Sequence, residues 1–158
     1  MKTLRYAPWV AVVAITGVLQ IPFARAQDHQ SDRERLIGAW RLEHIESPTS
    51  DSRAGKSPQP KGMLIYTRDG HMSVQLMYPR SASSLSNEYV QSGYEASFGS
   101  YTIDENTHTL THHVDGSITG DRLVGKDLPR VYTLTSGGLL IIRSAKSDEY
   151  WSVTWQHY

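Results

Sequence analysis

"ERLIGAWRLEHIES", Glu34 to Ser47, is the stretch on which the reading of this chain turns. Here the sequence first becomes strand-like, and a glycine stands two residues before a tryptophan. Glycine weakens a strand and marks a bend or a close backbone approach. Tryptophan brings a large apolar ring that must pack against something. What the pair means depends on the elements that follow it.

Those elements are short runs of period-two character separated by turn residues. Eight strands are predicted: Leu36–Glu46, Met63–Thr67, His71–Tyr78, Ser100–Asp104, Thr107–Asp115, Arg130–Thr135, Leu139–Ala145 and Tyr150–His157. "RDG" (Arg68 to Gly70), "DEN" (Asp104 to Asn106) and "SGG" (Ser136 to Gly138) supply tight hairpin turns. "SPTSDSRAGKSPQPKG", Ser47 to Gly62, reads as a long surface loop. One short helix is expected near "SLSNEYVQSGYEASF", with Ser86 as N-cap and Val90, Tyr94 and Phe98 four residues apart. Eight hairpin-linked strands in one small chain predict an all-β, antiparallel up-and-down barrel. Closure removes the edges that an open meander would leave exposed.

The N-terminus stands outside this scheme. Lys2 and Arg5 precede an apolar run from Trp9 to Phe23, and "ARA" (Ala24 to Ala26) offers a small-x-small cleavage site. Gly17, Gln20 and Pro22 interrupt the run, leaving it short of the ~20 apolar residues of a membrane span. Residues 1–26 therefore read as a cleavable signal peptide, residues 27–35 as a flexible lead-in and residues 36–158 as the barrel domain. The expected location is secreted or periplasmic, with no membrane span after cleavage. Cleavage would remove three basic residues (Lys2, Arg5, Arg25), so 16 basic against 16 acidic becomes 13 against 16. No basic patch remains as a footprint for nucleic acid. The chain has no cysteine, which excludes disulfides, zinc–thiolate sites and thiol nucleophiles.

"GAW" (Gly38 to Trp40) resembles the Gly-x-Trp signature of the first calycin strand. "PKGMLIYTRDGHMSVQLM" (Pro60 to Met77), "GSYTIDENTHTLTHHVDGS" (Gly99 to Ser117) and "RVYTL" (Arg130 to Leu134) are similar to hairpins and a strand of the bacterial lipocalin-like domain family. The resemblance runs from about Leu36 to His157. It implies a small lipocalin-like barrel in which the glycine bends the chain and the tryptophan plugs the closed end. Some relatives are associated with natural-product pathways. The disulfide of secreted animal lipocalins is absent, so no particular ligand carries over.

Strand alternation predicts the inner face. It groups Trp40 with Leu42 and His44; Met72 with Val74 and Leu76; Tyr101 with Ile103; and His108 with Leu110, His112 and Val114. It also groups Arg130 with Tyr132 and Leu134, and Trp151 with Val153 and Trp155. Apolar walls with a few polar groups (Tyr101, His112, Arg130, Tyr132) fit a small-molecule site. The expected ligand is small and hydrophobic or aromatic, bound by Trp40, Met72, Val74, Leu76, Tyr101, His112, Arg130, Tyr132, Trp151 and Trp155. A buried guanidinium needs a counter-charge or a ring. Arg130 would meet an anionic ligand group, reach the rim, or stack on Trp40. "DRLVGKD" (Asp121 to Asp127) reads as a connection at the cavity mouth.

A second reading is a cofactor-free isomerase, cyclase or lyase in the same cavity. His112, Tyr101 and Arg130 would then serve as acid–base and oxyanion groups. A metal site is disfavoured, because His108 and His112 on one strand face would stand ~13 Å apart. No motif selects a cofactor or an oligomeric state.

Overall fold

In the computed structural model, residues 30–46, 59–80 and 87–158 are described. The expected signal peptide, most of the Ser47–Gly62 loop and Ser86 lie outside them. The strands are β1 (Gly38–Glu46), β2 (Lys61–Tyr66), β3 (His71–Met77), β4 (Tyr94–Asp104), β5 (Thr109–Ser117), β6 (Asp127–Leu134), β7 (Leu139–Ser144) and β8 (Ser152–His157). Each pairs antiparallel with the next, and β1 also pairs with β8, so the sheet is a closed eight-stranded barrel. Turn chemistry sets the hairpins: Gly70 (φ +91) and Gly138 (φ +78) occupy the left-handed positions of the β2–β3 and β6–β7 turns. Among the described residues, no helix is long and apolar enough to cross a membrane.

One short helix is present, but not where the sequence pattern places it. Residues 87–93 form bends and a turn, and Tyr94 to Phe98 are the first half of β4. The helix is α1 (Asp32–Leu36), within the expected lead-in, capped by the Ser31 hydroxyl accepting from the Glu34 N–H at 3.2 Å. It closes one end of the barrel. Leu36 is fully buried, the Tyr132 hydroxyl donates to Asp32 Oδ2 at 2.9 Å, and Arg35 Nη2 donates to the Thr135 carbonyl at 3.1 Å.

Gly38 and Trp40 join this plug to the barrel. The Trp40 indole N–H donates to the Leu36 carbonyl at 2.8 Å, and the ring lies 4.3 Å from His157, its partner across the β1–β8 seam. Gly38 has φ +137, and a Cβ there would stand 2.3 Å from His157 Cε1. Conformation and space both demand glycine, which explains the pairing of the two residues in sequence.

Two inner-face expectations fail for local reasons. Between Leu42 and His44 the β1–β8 register shifts, so Ile45 packs on the core and His44 turns outward, beside Glu46 at 3.6 Å. His108 sits in the β4–β5 turn with φ +50, one residue before β5 begins, and not on the face of Leu110 and His112. The other sets stand. Trp40, Met72, Val74, Leu76, Tyr101, Leu110, Tyr132 and Trp155 are in the core cluster, with Leu42, Ile103, Leu134, Trp151 and Val153 packed against it.

Gly38→Ala is expected to destabilise the barrel by about 2–3 kcal/mol, from combined backbone strain and collision with His157. In chemical denaturation, Gly38→Ala/His157→Ala should be less destabilised than the sum of its single variants. Strict additivity would show that the ring is not what Gly38 accommodates.

Candidate functional site

The hairpin ends around α1 form the closed end of the barrel. At the other end lie the segment 87–93 between β3 and β4, the β5–β6 loop and the β7–β8 loop. Polar residues enter the interior in the half facing this second end.

Arg130 is central to it. On β6 it alternates with Tyr132 into the interior and is only 7% exposed. Its guanidinium lies 5.1 Å from the centre of the Tyr89 ring and 4.9 Å from that of Trp151. It therefore stacks at the mouth, on neither Trp40 nor the outer rim. Its hydrogen bond goes to the neighbouring Pro129 carbonyl at 3.3 Å, and among the described residues no carboxylate forms an ion pair with it. Cation–π contacts contribute ~2 kcal/mol each when desolvated, less than a carboxylate would offer a buried guanidinium.

The rings on Arg130 come from two loops that also hold each other. The Tyr89 hydroxyl donates to Glu149 Oε1 at 3.2 Å, Lys146 pairs with Glu88 at 3.5 Å, and the Tyr89 and Trp151 rings meet edge-on at 6.2 Å. These contacts form a latch across the open end.

Deeper in, Tyr66 and His112 form a buried pair, with hydroxyl and Nε2 2.7 Å apart. Burial holds the His112 imidazolium down to about 3, helped by the Arg130 charge and by His113. Burial also pushes the Tyr66 hydroxyl well above its ordinary value, with Arg130 pulling the other way. Both groups are thus neutral and share one proton-bearing hydrogen bond between hydroxyl and Nε2. A base that weak is poorly matched to proton transfer near neutral pH. The Tyr101 hydroxyl donates to the Thr67 carbonyl at 3.0 Å, in the closed-end hairpin, rather than facing His112 and Arg130. Tyr101, His112 and Arg130 thus share the interior but are engaged separately, which does not favour an acid–base catalyst.

Among the described residues, the indole N–H groups of Trp151 and Trp155 are buried without an acceptor. Such an orphan costs ~1–3 kcal/mol. Met72, Val74 and Leu76 form the apolar wall of β3, all 7% exposed or less.

Three interior residues escape the sequence reading. Tyr66 was within reach of it, because the RDG turn sets Tyr66 opposite Met72, on the same face. Tyr89 carries no periodic signal, since it lies in an irregular segment. Glu95 is hidden by the expected helix. As a strand residue it pairs with the inward Leu76, so it faces the interior. Burial drives its carboxyl up to about 7, against the opposing pull of Arg130. With Ser97, Ser117 and residues of the β5–β6 loop such as Arg122 and Leu123, it lines a pocket at the mouth. The loop read from "DRLVGKD" does therefore border the cavity, with Leu123 buried.

A Gly-x-Trp first strand, a closed up-and-down barrel and a plugged end define a lipocalin-type architecture. The model of the lipocalin-like domain matches residues 37–157, and the chain belongs to that family. Among solved structures, wild-type fluorescent protein UnaG is similar at 13% identity and a TM-score of 0.39, covering 79% of this chain and 98% of UnaG. One single-site UnaG variant matches at 11% identity and a TM-score of 0.38, covering 79% and 97%. A second matches at 12% and 0.39, covering 78% and 96%. No curated protein matches the sequence significantly.

The shifts of Glu95 and His112 act on stability with opposite signs. A carboxyl raised from 4.5 to about 7 stabilises the fold at low pH and loses that contribution as pH rises through 7. An imidazole lowered from 6.5 to about 3 stabilises it above 6.5 and loses that as pH falls towards 3. Glu95→Gln should therefore flatten the fall in Tm between pH 5 and 8, by roughly 5 °C relative to wild type. Parallel Tm–pH curves for the two proteins would refute burial of an ionisable Glu95.

Proposed function

We propose that this is an exported lipocalin-like protein that holds a small hydrophobic or aromatic molecule in its barrel, with an oxygen acceptor of that molecule on Arg130. The observation that carries the reading is the buried guanidinium itself. Natural cores retain such a charge where it has a partner, and among the described residues Arg130 has two rings against it but no paired carboxylate. A carboxylate or enolate at its edge would supply the missing charge-assisted bonds.

The walls fit an apolar or aromatic body: Met72, Val74, Leu76 and Val114 are apolar and inward. The mouth pocket encloses ≈ 20 Å³, room for about one water. Small-molecule sites run to roughly 300 Å³ and more. On this reading a ligand reaches Arg130 past the Tyr89–Arg130–Trp151 latch, whose two rings are carried outside the strands. The export half of the reading rests on the charged, apolar and small-residue order of Met1 to Ala26.

Native mass spectrometry of protein exported by its own leader, followed by organic extraction, tests both halves. The mature chain is expected to begin at Gln27 and to carry a reproducible small molecule. Arg130→Met, if folded, should retain that molecule at least tenfold less well. An unprocessed N-terminus would refute export. Equal retention by Arg130→Met would refute the anchor, and a barrel that neither carries nor takes up any aromatic acid would refute the binding function.

A further inference from the structure

Glu95 on β4 and Arg130 on β6 face one interior from the two strands that flank β5, yet do not pair. Glu95 stands on β4 opposite the buried Leu76, and its inner-face neighbour Ser97 is 7% exposed. Arg130 stands on β6, on the far side of β5. Each feels the other's charge, but no ion pair joins them. Among the described residues, none donates a hydrogen bond to the Glu95 carboxyl. Two opposite charges in a poorly solvated interior attract strongly and normally meet. That they stay apart is explained if each addresses a different end of something held between them.

We infer that Glu95 is a second recognition group of the barrel, so that the ligand is amphoteric: an aromatic molecule with an oxygen acceptor for Arg130 and an N–H, O–H or ammonium donor for Glu95. The inference rests on the proposed binding function and narrows its ligand class. A simple aromatic acid or a fatty acid would satisfy Arg130 and leave Glu95 unmet. The alternative is a carboxyl satisfied by water alone, for which the ≈ 20 Å³ mouth pocket has room.

The ionisation of Glu95 supplies a handle. The charged and titratable groups around it are Tyr78 just after β3, whose hydroxyl burial and Glu95 push up to about 12, Arg130 on β6, Arg122 in the β5–β6 loop and Glu88 in the segment before β4, with His112 further along the interior on β5. The arginines stay charged, and His112 is held neutral down to about 3. A donor on Glu95 should therefore be held better as pH rises from 5 to 8, through the range in which this carboxyl ionises.

Two fluorescent probes with the same body separate the possibilities. 2-Naphthoate offers only the acceptor, whereas 6-amino-2-naphthoate adds an N–H donor at the far end, and neither changes charge between pH 5 and 8. Wild-type protein is expected to bind the amino compound about tenfold more tightly at pH 8, the effect of one hydrogen bond to a charged acceptor. The preference should shrink at pH 5. Glu95→Leu should reduce it to within about twofold at both pH values, and Glu95→Gln should keep a weaker, pH-independent part of it. Near-equal affinities for the two probes in wild type, or a preference that survives Glu95→Leu, would overturn the inference and leave the binding function standing. Failure of wild type to bind either naphthoate or neutral 2-acetylnaphthalene would overturn both.

Discussion

An eight-stranded sheet becomes a barrel only when its first strand finds its last, and here that seam is β1 against β8. Trp40 opposite His157 and Leu42 opposite Trp155 set its register. The indole N–H of Trp40 reaches back to Leu36 and so fixes α1 over the same end. Gly38 permits this because its backbone takes a conformation that other residues resist, and because the His157 ring occupies the place of a side chain. Without the seam there is no interior, and Arg130, His112 and Glu95 would be ordinary surface residues on an open meander.

Closure also governs the electrostatics. Walls that exclude water from the Tyr66–His112 pair make the neutral forms the stable ones, and the Arg130 charge adds to this at His112. Tyr101 and Tyr132 spend their hydroxyls on the closed end, one on the Thr67 carbonyl and the other on Asp32. The interior is thus divided. Tyrosines stitch the plugged half, while the half towards the loops holds an arginine and a carboxyl that form no ion pair with each other.

Much of this was legible in the residues, and the failures have definite causes. Period-two alternation placed Met72, Val74, Leu76, His112, Arg130, Tyr132 and Trp155 inside, because hairpin turns of short, specific chemistry left the register little freedom. The stretch around Tyr94 misled for a reason of arithmetic. A spacing of four residues fits one face of a helix and equally one face of a strand. Tyr94 and Phe98 share a face either way, and it is the outer one, with both about half exposed. What decides between the two is a partner far along the chain: Met77 opposite Tyr94 and Leu76 opposite Glu95. No local pattern contains that partner, so the helix expected there concealed the one strand position that turns a carboxyl inward. His44 was lost to a single-residue register shift, and His108 to a left-handed turn position that asparagine or aspartate more often fills.

The latch at the mouth shows how such a barrel can both guard and use a buried charge. A guanidinium is planar, with two faces for rings and an edge of N–H donors for oxygen. Tyr89 and Trp151 lie side by side against it, their ring centres 5.1 and 4.9 Å from the guanidinium carbon and 6.2 Å from each other. With both rings on adjacent sides and one N–H on the Pro129 carbonyl, the remaining N–H donors are left for an acceptor. Tyr89 is in turn held by Glu149, and Glu88 by Lys146, in pairs exposed enough to contribute little each. Weak surface ties between loops and a strong, shape-specific stack beneath them make an arrangement that parts without unfolding a strand. It also closes again wherever Arg130 keeps its place on β6, and that place is fixed by the same pairing that closes the barrel.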